Sequence, residues 1–184
     1  MQTMHLNHIN SVGILRPLQY IRAKNMMKIR PANSTDASVI LKFIRELAEY
    51  EEALHCVNAS EEDIVSSLFN EDSTAKAIIC EVDSCPIGYA VYFFNYSTWL
   101  GKNGLYLEDL YVTPSFRSSG AGKLLMKTLA NEAIEKGCGR FEWSVLHWNQ
   151  PAIDFYHHIG AEEQSEWRIY RLTGEALHNF ALES

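Results

Sequence analysis

The stretch from Leu105 to Met126, LYLEDLYVTPSFRSSGAGKLLM, restricts the fold more than any other part of the chain. An apolar run feeds a short glycine-bearing loop, and the loop opens directly into helical periodicity. The first turn of a helix carries backbone N–H groups without intrahelical acceptors, and its dipole favours negative charge. Glycines let the backbone approach a phosphate with no Cβ in the way. The segment therefore reads as strand, anion-binding loop and helix. Arg117, Ser118, Ser119, Gly120, Ala121 and Gly122 are expected around a phosphorylated ligand. Lys123 either approaches that phosphate or is a solvated helix residue.

Two familiar phosphate loops fail on specifics. A Walker A loop places Ser or Thr after its Gly-Lys pair and a glycine five residues before it. Here Leu124 follows Gly122-Lys123, and the early position holds Arg117. The dinucleotide fingerprint needs a third glycine for close helix–sheet packing, and Leu125 stands there. Glu142 lies near the distance of that motif's acidic residue, but no repeated βαβ pattern follows.

The 184 residues favour one domain with a sizeable core. No apolar run approaches the ~18–20 residues of a membrane-spanning helix. Cys56, Cys80, Cys85 and Cys138 form no CxxC pair and no metal-like set with the histidines, so no metal is expected. They read as thiols in a reducing compartment, and a cytoplasmic location is expected. Residues 1–26 hold Arg16, Arg22 and Lys24 and no acidic residue. The rest carries 13 basic against 23 acidic residues, a formal −10. Such a domain is a poor partner for nucleic acid and a reasonable one for a cationic substrate. Residues 1–26 lack a secretory core and are expected to be a poorly ordered extension, with Met26 or Met27 the natural first residue.

Along the chain, Met27 to Arg30 reads as a strand, and Ser34 or Thr35 as the cap of a helix carrying Val39, Ile40, Phe43, Ile44 and Leu47. Ser60 and Asp63 form a capping-box pattern before a second helix. Lys76–Val82 and Ile87–Tyr96 read as a hairpin around Asp83-Ser84-Cys85-Pro86, and Leu105–Val112 as the next strand. Ser119–Lys136 is a helix closed by Gly137, and Phe141–Trp148 a strand. A helix capped by Asn149 follows, then a strand over Trp167–Leu172 and a terminal helix over Gly174–Leu182. The expected class is α/β: one domain over 27–184 with a mixed central sheet flanked by helices, in the order βααβββαβαβ.

The loop pattern Arg/Gln-x-x-Gly-x-Gly/Ala after a strand resembles motif A of the GNAT superfamily of N-acetyltransferases. From Met27 to about Ala181 the chain resembles its diamine (spermidine/spermine) and thialysine N-acetyltransferase branch. The blocks that carry the likeness are IRPA at 29–32, IRELAEYEE at 44–52, YSTWLGK at 96–102, YLEDLYVTPSFR at 106–117 and VLHWNQPAIDFY at 145–156. YSTW, KGC at 136–138 and HWNQ at 147–150 lean toward the thialysine relatives. Two departures stand out. Ser118 occupies a position where relatives carry glycine, and an extra residue near Asn103-Gly104 leaves open the turn before the cofactor strand.

The resemblance implies a GNAT fold, acetyl-CoA as acetyl donor, a small cationic amine as acceptor, direct transfer and a homodimer. It implies Tyr156 as the acid that protonates the departing thiolate; packing beside Phe155 is the alternative. Glu108 and Asp109 are adjacent on an apolar strand, so their side chains are expected on opposite faces. The resemblance gives Glu108 the amine proton, through water, and Asp109 either the cationic substrate or a structure-orienting role. A bulge exposing both to solvent is the alternative. The amides of Leu110 and Val112 are implied at the acetyl carbonyl and the pantetheine arm. Asn149 is implied at the cofactor or serves only as a cap. Tyr50 and Glu51 match positions facing the amine, where Glu51 either pairs with a cationic tail or belongs to a solvated helix face, and Trp99 and Trp167 either wall its site or belong to the core. Two other functions stay open: acetyl transfer to a protein or peptide amine, and a non-catalytic acyl-CoA sensor.

Overall fold

The computed structural model describes residues 26–183, so the expected extension lies outside the described residues apart from Met26. The described chain divides into two compact units, one ending at Ser144 and one beginning at Val145. No helix among the described residues is long and apolar enough to cross a membrane.

The first unit is a five-stranded sheet with helices on both faces. Its strands are β1 (Met27–Pro31), β2 (Ala75–Val82), β3 (Cys85–Ser97), β4 (Lys102–Val112) and β5 (Phe141–Trp143). They lie side by side in chain order, antiparallel except for β5, which runs parallel to β4. The β2–β3 hairpin closes through Asp83 and Ser84, both at positive φ (52° and 63°), with Val82 opposite Cys85. Two left-handed residues match the twist of paired strands, which explains so tight a turn.

Between β1 and β2 lie α1 (Ala37–Tyr50) and α2 (Glu61–Leu68). The expected cap of α1 is corrected. Asn33, not Ser34 or Thr35, accepts the Thr35 N–H at 3.0 Å and caps a short 3-10 turn that leads into the helix. Asp36 returns the bond to the Asn33 N–H at 2.9 Å and takes both guanidinium nitrogens of Arg30, at 2.7 and 2.8 Å. That bidentate pair holds the Asp36 carboxyl below its usual range and fastens the start of α1 to β1. The Ser60–Asp63 capping box opens α2 as expected.

One sheet face and α1 with α2 form a core of Ile40, Leu41, Phe43, Ile64, Ala77, Ile79, Tyr89 and Tyr111. Each fully buried large apolar side chain contributes about 1.5–3 kcal/mol. On the other face lies α3 (Ala121–Glu135), which buries Leu125, Met126, Leu129 and Ala133 and receives the Tyr92 hydroxyl on Glu132.

Two strand expectations need correction. β5 ends at Trp143 rather than Trp148, because its ladder with β4 stops at the pair Leu107–Trp143. In the second unit, Trp167–Leu172 forms no strand. A strand needs a ladder to satisfy its backbone groups, and this segment instead lies on the surface. That unit contains α4 (Gln150–His158) and α5 (Gly174–Leu182), both at their expected places.

Candidate active site

The site grows from a register shift in β4. Ala90 pairs with Leu110 and Val91 with Asp109, but Tyr92 pairs with Leu107, so Glu108 has no counterpart on β3 and forms a bulge. Ala90 and Tyr92 share a face of β3; Leu107 and Leu110 therefore share a face of β4 although their spacing is odd. The bulge turns Leu105, Leu107, Leu110 and Val112 all toward α3. Asp109 and Tyr111 are left facing α1. Glu108 is exposed at the bulge and Asp109 is half-buried, so the alternative of both carboxylates in solvent holds for Glu108 alone.

Beyond Leu107, β4 loses β5 as a neighbour. The Thr113 N–H donates to Ile87 O of β3 at 2.9 Å, and strand alternation then directs the N–H groups of Val112 and Leu110 to the opposite edge. Leu105 N–H, on that same edge, donates to Arg140 O at 3.0 Å. Among the described residues, the edge carrying the Leu110 and Val112 amides has no strand partner.

The loop follows. Ser118 adopts φ +60°, a left-handed conformation that a side chain disfavours and that glycine tolerates. Ser119 is fully buried, and its hydroxyl donates to Phe116 O at 2.6 Å, so its side chain braces the loop. Gly120 sits at φ +97° at the N-terminus of α3. Leu124 N–H donates to Gly120 O at 2.9 Å as the first bond of the helix. By helix geometry the N–H groups of Ala121, Gly122 and Lys123 have no intrahelical acceptor. The Lys123 side chain is exposed.

Arg117 turns toward α1. Its Nε donates to Val112 O at 3.2 Å, and its guanidinium lies 4.9 Å from the Tyr50 ring centroid and 5.8 Å from that of Tyr111. The side chain expected at the phosphate thus joins the loop to the end of α1.

On the α1 face, Asp109 accepts a hydrogen bond from the buried Tyr89 hydroxyl at 2.9 Å. Tyr89 and Tyr111 are opposite partners, and both rings pack 5.7 Å from Phe43. Burial raises the Asp109 carboxyl above its ordinary value, and the Tyr89 bond pulls it part of the way back. Glu51, just past α1, is raised by burial and then by the Asp109 charge. Burial and the neighbouring Glu46 push the Tyr111 phenol up to about 12. Glu51 and Asp109 therefore lie close together, Glu46 stands by Tyr111 with Lys42 Nζ 3.7 Å from it, Arg117 lies over the Tyr50 and Tyr111 rings, and Tyr50 is at the rim, 37% exposed. Excess negative charge in a half-buried recess favours a bound cation.

Sequence reasoning missed Tyr89, Tyr111 and Glu46 as members of this recess. The signal for the tyrosines was cross-strand register: a residue two along from Asp109 and its partner on β3 share the Asp109 face.

Trp99 lies on the turn after β3 and is 86% exposed, so it is not core. The turn ends at Gly101, and Asn103 and Gly104 lie inside β4, opposite Tyr96 and Asn95. In the second unit Asn149 holds the N-cap position of α4 through its carbonyl, which accepts Ile153 N–H at 3.1 Å, while its side chain makes no capping hydrogen bond. Tyr156 lies on α4, tilted against Phe155 at 5.6 Å between centroids, and burial raises its phenol. Trp167 is 68% exposed.

Residues 41–161 match the acetyltransferase (GNAT) family. The thialysine N-epsilon-acetyltransferase of Sus scrofa is 40% identical over 164 residues, covering 83% of this chain and 96% of that protein. An L-ornithine N5-acetyltransferase of Arabidopsis thaliana is 31% identical, covering 82% of this chain and 86% of its own. Among solved structures, an integron cassette protein from the mobile metagenome of V. cholerae superposes with a TM-score of 0.73 at 29% identity, covering 86% of this chain and 99% of the other. With the bulged strand, the glycine loop at a helix N-terminus and these relatives together, the chain belongs to the acetyltransferase (GNAT) family and is an acyltransferase.

Proposed function

We propose that the chain moves the acetyl group of acetyl-CoA directly to the primary amine of a small cationic substrate, a thialysine-like amino acid or a polyamine. The recess carries this reading: Asp109 and Glu51, both raised by burial and Glu51 further by the Asp109 charge, gain most from a cation that stabilises their ionised forms. The relatives' names specify thialysine and L-ornithine, which supports a small amine.

The loop fits a pyrophosphate. A Cβ at Gly120 would meet nothing within 4 Å, and one at Gly122 only Leu110 Cδ2 at 3.9 Å. The fold itself therefore has room for a side chain at Gly122; glycine there suits a ligand that lies against the backbone. The amides of Ser118, Gly120, Ala121, Gly122 and Lys123 would hold the phosphates, the Ser119 N–H being given to Phe116 O at 3.3 Å, and the Leu110 and Val112 amides on the open edge of β4 would hold the pantetheine arm as an added strand.

Acetyl-CoA supplies the acetyl group as a thioester. Asp109 and Glu51 hold the ammonium, with Tyr50 beside its chain and Trp99 and Trp167 assigned there by resemblance. A free alkylamine has a pKa of about 10, so it arrives protonated. Glu108, exposed at the bulge, takes that proton through water. The neutral nitrogen then forms the C–N bond at the carbonyl carbon, while the Leu110 amide stabilises charge on the carbonyl oxygen. The Tyr156 hydroxyl is assigned the proton that sulfur receives as the C–S bond breaks, and the second proton that the nitrogen loses as the amide forms restores the phenol.

The reading extends to a homodimer. Trp167, Ile169, Tyr170 and Leu172 are 68%, 78%, 87% and 51% exposed, an apolar surface that a second copy would cover. The free cysteines support a reducing, cytoplasmic setting.

The test is coenzyme A release from acetyl-CoA with spermidine, spermine, putrescine, thialysine, lysine and a basic peptide. Turnover confined to small amines is expected. Turnover with the peptide alone would replace the reading by a protein acetyltransferase. Tight acetyl-CoA binding with silence across the panel would favour a sensor.

A further inference from the structure

Asp109 is the most constrained carboxylate of the recess, and one residue outside the reacting groups sets its state. Tyr89 has no exposed surface, its ring packs on Phe43 at 26° between planes, and its hydroxyl donates to Asp109 Oδ2 at 2.9 Å. A phenol so enclosed on the apolar face of a sheet needs an acceptor, and Asp109 is the one it has. The register makes the pairing possible: Asp109 lies two residues from Tyr111, the cross-strand partner of Tyr89, so strand alternation puts Asp109 on the face that Tyr89 occupies.

Resting on the acetyl-transfer reading, we infer that Tyr89 is a positioning residue that keeps Asp109 ionised and aims its free oxygen at the acceptor amine, and so sets the pH range over which a cationic amine binds. The groups facing Asp109 leave no other source for this effect. Glu51, at the end of α1, is a like charge and opposes ionisation. Burial opposes it as well, and the Tyr89 hydrogen bond is the opposing influence that favours the carboxylate. Glu46 and Arg117 act on Tyr111 beside it. Tyr89 itself is raised far above its ordinary value by burial and by the Asp109 charge, so its hydroxyl keeps its proton and remains a donor.

The sign follows. Asp109 already has a raised carboxyl, and removing the Tyr89 hydroxyl raises it further. At a given pH a larger fraction is then protonated and unable to hold an ammonium. The acid limb of kcat/KM for the amine moves to higher pH. The limb belongs to the Glu51–Asp109 pair rather than to either group alone.

The experiment is steady-state kinetics across pH with the amine that the wild-type enzyme accepts, on Tyr89→Phe, Asp109→Asn and the double variant. Tyr89→Phe keeps the ring on Phe43. It is expected to raise the amine KM about tenfold on the acid side of the profile, the scale of one hydrogen bond to a charged group. It should also move the acid limb upward and leave the acetyl-CoA KM within about twofold. In the Asp109→Asn background the same replacement is expected to add nothing. An unmoved acid limb in Tyr89→Phe, or an equal loss in both backgrounds, would overturn the inference, since a purely packing role predicts one of those results. If Tyr89→Phe does not fold, Asp109→Asn alone decides: an unchanged acid limb there overturns it, and a lost limb supports it. A wild-type enzyme that turns over no amine overturns the acetyl-transfer reading and this inference with it.

Discussion

Replacing Gly122 with alanine is expected to weaken acetyl-CoA binding about 10- to 100-fold, the worth of one or two charge-assisted hydrogen bonds, without loss of stability. Gly122 lies in the first turn of α3 with an ordinary helical φ. A Cβ there meets only Leu110 Cδ2, at van der Waals distance. Alanine is favoured over glycine inside a helix by about 0.5–1 kcal/mol, so thermal unfolding should be unchanged or slightly raised. Gly120 makes the comparison: at φ +97° it requires a left-handed backbone, and Gly120→Ala is expected to cost about 1–2 kcal/mol of stability. Calorimetric titration of acetyl-CoA with both variants checks the pair. Wild-type affinity in Gly122→Ala would mean that the phosphates do not lie on this turn.

The Tyr156→Phe variant is expected to lose about 10²–10³-fold in kcat, the usual worth of a positioned acid, while binding acetyl-CoA as the wild type does. Burial raises the Tyr156 phenol, so the hydroxyl keeps its proton through the neutral range, and the basic limb of kcat should lie at that raised value. Initial-rate measurements paired with acetyl-CoA titration separate the two properties. An unchanged kcat would assign the leaving-group proton to another donor.

Much of this architecture is legible in the sequence. The strand, glycine loop and helix from Leu105 onward, the Ser60–Asp63 capping box and the tight hairpin follow from local rules of backbone geometry. The features that local rules missed depend on distant partners. Asn33 caps the entry to α1 because Arg30, on β1, fixes Asp36 from outside the helix. Alternation along β4 predicts opposite faces for Glu108 and Asp109, yet a one-residue bulge decides which of them is exposed. Tyr89 reads as an ordinary core aromatic until the β3–β4 register brings it to Asp109. Trp167–Leu172 has the composition of a strand, but a strand exists only where its backbone finds a ladder.

Titration of the accepted amine into protein saturated with coenzyme A tests the central claim most directly. The wild type is expected to bind the amine at one site per chain and release protons, because a bound ammonium lowers the raised Glu51 and Asp109 carboxyls. Asp109→Asn and Glu51→Gln are each expected to weaken amine binding at least about tenfold. Wild-type amine affinity in Asp109→Asn would contradict the account and move the acceptor site elsewhere on the chain.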